Sequence, residues 1–218
     1  MDLITENIKR ILGSLPDSVV LAAAAKTRSA EEVAEALNAG VKVIGQNYVQ
    51  EGEMIRQALG SEPRMHFIGH LQRNKVKKAV RIFDLIETVD NLEIAEEINK
   101  RCAAAGKTMP ILIEVNSGRE VQKFGVLPED LESLVTEIAQ LPHILVKGLM
   151  TMGPYSDYPE DARPFFVETK LCYDRIAALT IPNIEMKILS MGMTHSYRIA
   201  IEEGANMIRI GTGIFGPR

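Results

Sequence analysis

Eight short apolar runs, alternating with longer stretches of helical period, constrain this chain more than any other feature. They are VVLAAAA (19–25), VKVIG (41–45), MHFIG (65–69), IFDLIETV (82–89), MPILIEVN (109–116), ILVKGLM (144–150), IEMKILS (184–190) and NMIRIG (206–211). The runs are continuous rather than alternating, as expected of parallel strands buried on both faces. Helices are expected to begin near Ala30, Val49, Asn74, Leu92, Glu129, Pro159 and Thr194, with Ser29 before EEVAEAL and LPED before LESLVTEIA as start signals. The amphipathic opening, MDLITENIKRILGSLP, predicts one additional N-terminal helix. Eight strands with intervening helices predict an α/β fold closed as a (β/α)8 barrel. The 218 residues allow about 27 per unit, a compact version of that fold with no room for a second domain, so residues 1–218 are read as one domain. An open doubly wound sheet is the alternative, and the four alanines before Lys26 also suit a helix.

Composition closes off several functions. A net charge of −4 disfavours a generic nucleic-acid binder, whose affinity comes largely from neutralised phosphates. No apolar run approaches the ~20 residues of a membrane helix, and early acids in the opening segment argue against a secretory signal. Cys102 and Cys172 stand far apart, giving neither a disulfide framework nor metal-ligand spacing. Reduced thiols, a cytoplasmic setting and a monomer are expected. His66 and His70 share an i, i+4 spacing, but within a strand that spacing builds no chelating face, and no metal site is expected. The basic run RNKVKKAVR (73–81) reads as a solvated face or a partner surface.

In a barrel, function gathers at the carboxyl ends of the strands. The residues found there are Lys26, Gln46 with Asn47, His70, Asp90, Asn116, Thr151, Ser190 to Thr194, and Gly211 to Gly213. Partial desolvation of Lys26 favours a neutral amine, as a Schiff-base lysine requires, although by position alone a solvated lysine is the simpler reading. SMGMTHS (190–196) runs from a strand through Gly192 into a helix, where unpaired N–H groups favour an anion. GTGIFG (211–216) matches G-x-G-x-x-G, yet only Pro217 and Arg218 follow it, so the strand–turn–helix unit of a dinucleotide site is missing. Its glycines suit either a phosphate cup after the last two strands or an ordinary turn of positive φ. Alternation along the last strand turns Arg209 inward with Gly211, and a buried guanidinium calls for a ligand acceptor or a carboxylate such as Glu114. Glu114 and Lys147 could equally form an ion pair between neighbouring strands.

LAAAAKTRSAEEVAEAL, IGQNYVQE, HFIGHLQRNKVK, ETVDNLEIAEEINK, ILIEVNSGREVQKFGV, VKGLMTM, LSMGM and NMIRIGTGIFG together resemble the pyridoxal phosphate homeostasis proteins, the YggS/PROSC family. The resemblance spans nearly the whole chain. It implies a single barrel like the N-terminal domain of alanine racemase, with pyridoxal phosphate (PLP) held as a Schiff base. By that resemblance Lys26 takes the aldehyde carbon, Asn47 lies beside the ring and Arg209 faces the pyridine nitrogen. Ser190, Met191, Gly192, Gly211 and Thr212 surround the phosphate. Two positions depart from many relatives: Gln46 stands where they have glutamate, and Thr194, His195 and Ser196 replace an acidic pair.

The function implied is that of a cofactor carrier, without catalytic residues, active in PLP homeostasis and amino-acid balance, with PLP-dependent apoenzymes as further partners. The alternatives are an amino-acid racemase, which needs two opposed acid/base groups, and an aldolase using Lys26 on a phosphorylated substrate.

Overall fold

The structure, a computed structural model, describes residues 3–153, 156 and 158–217. Each of the eight apolar runs overlaps a strand: β1 Val20–Ala24, β2 Val43–Gln46, β3 Arg64–Phe67, β4 Leu85–Val89, β5 Met109–Glu114, β6 Ile144–Met150, β7 Ile184–Ser190 and β8 Met207–Ile210. All neighbours are parallel, and β1 also pairs with β8 through Val20–Met207 to Ala23–Ile210, so the sheet closes as a barrel. That closure excludes the open-sheet alternative and makes the alanine run a strand.

Helices α1 Leu3–Leu12, α2 Ala30–Asn38, α3 Val49–Leu59, α4 Val76–Ile82, α5 Leu92–Ala105, α6 Leu131–Ile138, α7 Arg163–Ala177, α8 Tyr197–Glu202 and α9 Thr212–Phe215 alternate with the strands. Ser29 starts α2 through a capping box: its hydroxyl accepts from Glu32 N–H at 3.2 Å, and Glu32 accepts from Ser29 N–H at 2.8 Å. The run 82–89 divides differently from its apolar pattern. Ile82 ends α4 and only Leu85 onward is strand, because Ile82 and Phe83 are used to cover α3 at Gly52.

Strand parity sorts the side chains into two layers. Ala23, Ile44, Phe67, Ile86, Ile208 and Ile210 belong to the large core between barrel and helices. Leu85, Leu112 and Met150 form a small separate cluster with Ile188 on the opposite face, inside the barrel. Glu87, Glu114 and Ser190 have the parity of that inner cluster, placing them above it towards the carboxyl ends of their strands.

Lys147 does not pair with Glu114. The β5–β6 register shifts between Ile111 and Leu112, which pair with Val146 and Gly148 and leave Lys147 in a bulge. It reaches Glu185 of β7 instead, at 2.6 Å.

Candidate functional site

Lys26 stands just past β1, where Ala25 N–H makes a last ladder bond to Gly45 O at 2.9 Å. Thr27 then takes φ +64°, a conformation rare for a β-branched residue. It is held there by two bonds, Thr27 N–H to Glu51 Oε2 at 3.1 Å and Thr27 Oγ1–H to Lys26 O at 2.6 Å. The strained turn therefore fixes where the Lys26 side chain leaves the barrel rim. Its Nζ lies 5.2 Å from the centre of the Tyr48 ring and, among the described residues, has no ion pair. Lys26 lines a cleft of about 530 Å3 with Asn47, Arg209, Gly211 and Thr212, a size suited to a small ligand. Asn47 is brought there by close backbone approach: a β-carbon on Gly69 would lie 2.2 Å from Asn47 O.

Two turns wall the other side. Gly192 has φ +88°, and a β-carbon on it would lie 2.6 Å from Ala200 Cβ and 2.8 Å from Tyr197 Cα, so glycine is what lets α8 pack down. Its carbonyl accepts from Arg209 N–H at 3.0 Å, tying the turn to β8. Gly211 does not need positive φ. At φ −109° and ψ −80° it caps the single turn of α9, with room limited by Ala24 O at 3.3 Å from a would-be β-carbon. The two turns meet through Thr194, whose Oγ1 lies 3.1 Å from Thr212 Oγ1 and accepts from Gly213 N–H at 3.2 Å. Among the described residues, the N–H groups of Thr194, His195, Gly211 and Thr212 have no acceptor within the protein.

Arg209 is 3% exposed and meets Glu87 rather than Glu114. Nη1 donates to Ser190 Oγ at 2.6 Å and Nη2 to Thr151 O at 2.8 Å. Ser190 donates to Glu87 Oε2 at 2.7 Å, and Glu87 Oε1 lies 2.7 Å from His66 Nδ1. Glu87 on β4 touches Ser190 on β7, two strands that are not neighbours, so this chain of contacts crosses the barrel interior. Burial pushes the Glu87 carboxyl up. The bond and charge of His66, the charge of Arg209 and the Ser190 bond outweigh it and hold the group below the usual carboxylate range. Glu114 behaves oppositely: burial and the nearby Asp90 charge push it up to about 7, against the pull of Arg209. It lines a second cleft, about 450 Å3, that shares Asn47, Ile68, Met152 and Met193 with the first.

Lys26, Asn47, Arg209, Gly211 and Thr212 thus converge on one cleft, while Ser190, Met191 and Gly192 lie behind its wall. The Ser190 hydroxyl is spent on Glu87 and Arg209, and Met191 packs its side chain in the outer core with its N–H on Met207 O at 3.0 Å. The next residues, Met193 to Ser196, line the cleft as the anion-binding reading of SMGMTHS expects, and so do Met152 and Tyr158, which the sequence does not single out for that role. Glu87 and His66 could have been found as polar residues inside otherwise apolar strands. His70 instead stacks on Phe124 with ring centres 3.6 Å apart, and no metal-binding cluster occurs among the described residues.

The family model for the alanine racemase N-terminal domain matches residues 1–218. A relative from Aquifex aeolicus named pyridoxal phosphate homeostasis protein is 43% identical over 98% of this chain and 89% of its own length. The chain belongs to the pyridoxal phosphate homeostasis protein family. The Escherichia coli K12 protein of that name is 37% identical over 94% of this chain and 88% of its own length. Among solved structures, PipY of Synechococcus elongatus with PLP bound superposes with a TM-score of 0.89 at 30% identity, covering 98% of this chain and all of that one. An alanine racemase from Clostridium difficile shares the fold at 17% identity and a TM-score of 0.84, and this family member spans 56% of that longer chain. No helix among the described residues is long and apolar enough to cross a membrane.

Proposed function

We propose that the cleft at the barrel mouth holds pyridoxal phosphate, that Lys26 is the residue that takes it covalently, and that the protein serves cofactor supply as a carrier without catalysis. The observation that carries this reading is the convergence in one cleft of an amine, a guanidinium and two turns. Among the described residues, Lys26 has no ion pair and the N–H groups of the turns have no acceptors. The donor set fits the cofactor: backbone N–H groups match a phosphate, and a primary amine matches an aldehyde. When bound, PLP supplies a carbonyl that a lysine amine takes up as a Schiff base and a ring that can withdraw electrons.

The residues divide that work. Thr194, His195, Gly211 and Thr212 offer backbone N–H groups to the phosphate, Gly192 opens the turn, and Met191 anchors it in the core. Asn47 flanks the ring. Arg209, held by Ser190, Thr151 and the Met152 sulfur, would offer its remaining donors to the ring nitrogen. A guanidinium can only donate, so it keeps a proton off that nitrogen and weakens electron withdrawal. A cytoplasmic setting belongs to the same reading, since Cys102 and Cys172 are free thiols.

One observation favours the racemase alternative. Tyr158 and His195, both able to exchange protons, line the same cleft as Lys26. Loading the protein with PLP, reducing with borohydride and mapping the labelled peptide tests the primary reading. Label on Lys26 is expected. Label on another lysine, or no spectral change when PLP is added, overturns it.

A further inference from the structure

We propose that Glu87, a carboxylate outside the cleft, is a positioning residue for Arg209. Acting through Ser190, it sets the pose and charge balance of the guanidinium that lines the cofactor cleft. The inference rests on the reading of the cleft as a PLP site.

Hydrogen-bond polarity fixes the assignment. A guanidinium only donates, so Ser190 Oγ, 2.6 Å from Arg209 Nη1, must accept. The Ser190 hydrogen must then leave in another direction, and Glu87 Oε2 stands 2.7 Å away to receive it. An ionised carboxylate only accepts, so the second Glu87 oxygen, 2.7 Å from His66 Nδ1, requires a hydrogen on that nitrogen. Every bond from His66 to Arg209 therefore has one direction, and Glu87 is the acceptor on which both ends converge.

Charge makes the same residue indispensable. His66, Glu87 and Ser190 are 0% exposed and Arg209 is 3% exposed, leaving little water to solvate the guanidinium. Glu87 Oε2 lies 3.9 Å from Arg209 Nη1 and is the carboxylate in salt-bridge contact with it. Replacing it by glutamine keeps the shape but removes the counter-charge. It also leaves a single carbonyl oxygen to serve two donors, Ser190 and His66.

The test compares PLP binding by wild type, Glu87→Gln, Glu87→Asp and Ser190→Ala, by equilibrium titration and by the visible absorption band of the bound cofactor. Circular dichroism checks the fold of each. Glu87→Gln should weaken PLP binding about tenfold and move the absorption band, because the charge at the ring nitrogen changes. Glu87→Asp, which keeps the carboxylate, should recover most of the affinity and the wild-type band. The Glu87→Gln/Ser190→Ala double variant should lose less than the two single losses combined, as a shared path requires. If Glu87→Gln does not fold, the aspartate and serine variants decide: wild-type affinity and band in Ser190→Ala overturn the proposal. A wild-type protein that loads with PLP beside a folded Glu87→Gln of equal affinity and unchanged band overturns it while sparing the site. A wild type that takes up no PLP overturns both.

Discussion

Thr194 and Thr212, from the turns after β7 and β8, meet hydroxyl to hydroxyl at 3.1 Å. The same Thr194 oxygen accepts Gly213 N–H, so one side chain holds both turns in register. Thr194→Val keeps the shape and removes both bonds, and should cost about 1 to 2 kcal/mol of stability. PLP affinity should fall with it, measured by titration beside a thermal melt. A variant with wild-type melting and affinity would show that the turns hold themselves.

Gly211→Val places a branched side chain where Ala24 O already lies 3.3 Å from the first added carbon. Backbone strain is not the obstacle, since φ is −109°. The fold should survive while PLP retention drops about tenfold or more, the phosphate approach being blocked. Dialysis of the loaded protein, followed by absorbance, reads the loss.

Gly69→Ala acts on the site from behind. The new carbon would sit 2.2 Å from Asn47 O, so the β2 end must move and carry Asn47 with it. We expect about 2 kcal/mol of destabilisation, by denaturant melts, together with weaker PLP binding.

Glu114 links stability to pH. Its carboxyl is raised from an ordinary 4.5 to about 7, chiefly by burial, so between those values the folded protein binds more protons than the unfolded chain. Stability therefore falls as pH rises from 4.5 to 7, by up to about 3 kcal/mol for a shift of that size. Glu114→Gln should flatten this part of the profile and melt higher than wild type at pH 8. Parallel profiles for the two proteins would exclude Glu114 as the source.

Solvent deuterium incorporation at the α-carbon, with chiral analysis, separates carrier from racemase. Negligible turnover of alanine and other common amino acids is expected of the PLP-loaded protein. Turnover on the order of 1 s⁻¹, lost in Lys26→Ala, would establish the racemase reading and give Tyr158 or His195 a catalytic part.

The sequence by itself determined the elements and the local half of the site. A strand buried on both faces must be a continuous apolar run, so eight strands could be counted, and Lys26 and the turns at Gly192 and Gly211 could be placed at their ends. Only the tertiary structure decided which carboxylate meets Arg209. Glu87 and Glu114 both sit on inward-facing strand positions, and parity cannot rank two residues on different strands. Barrel closure can, because it brings Ser190 against a residue 103 positions earlier, across the interior rather than along the sheet. The bulge at Lys147 was hidden for a related reason, since register between strands depends on the partner strand and leaves no mark in the run itself.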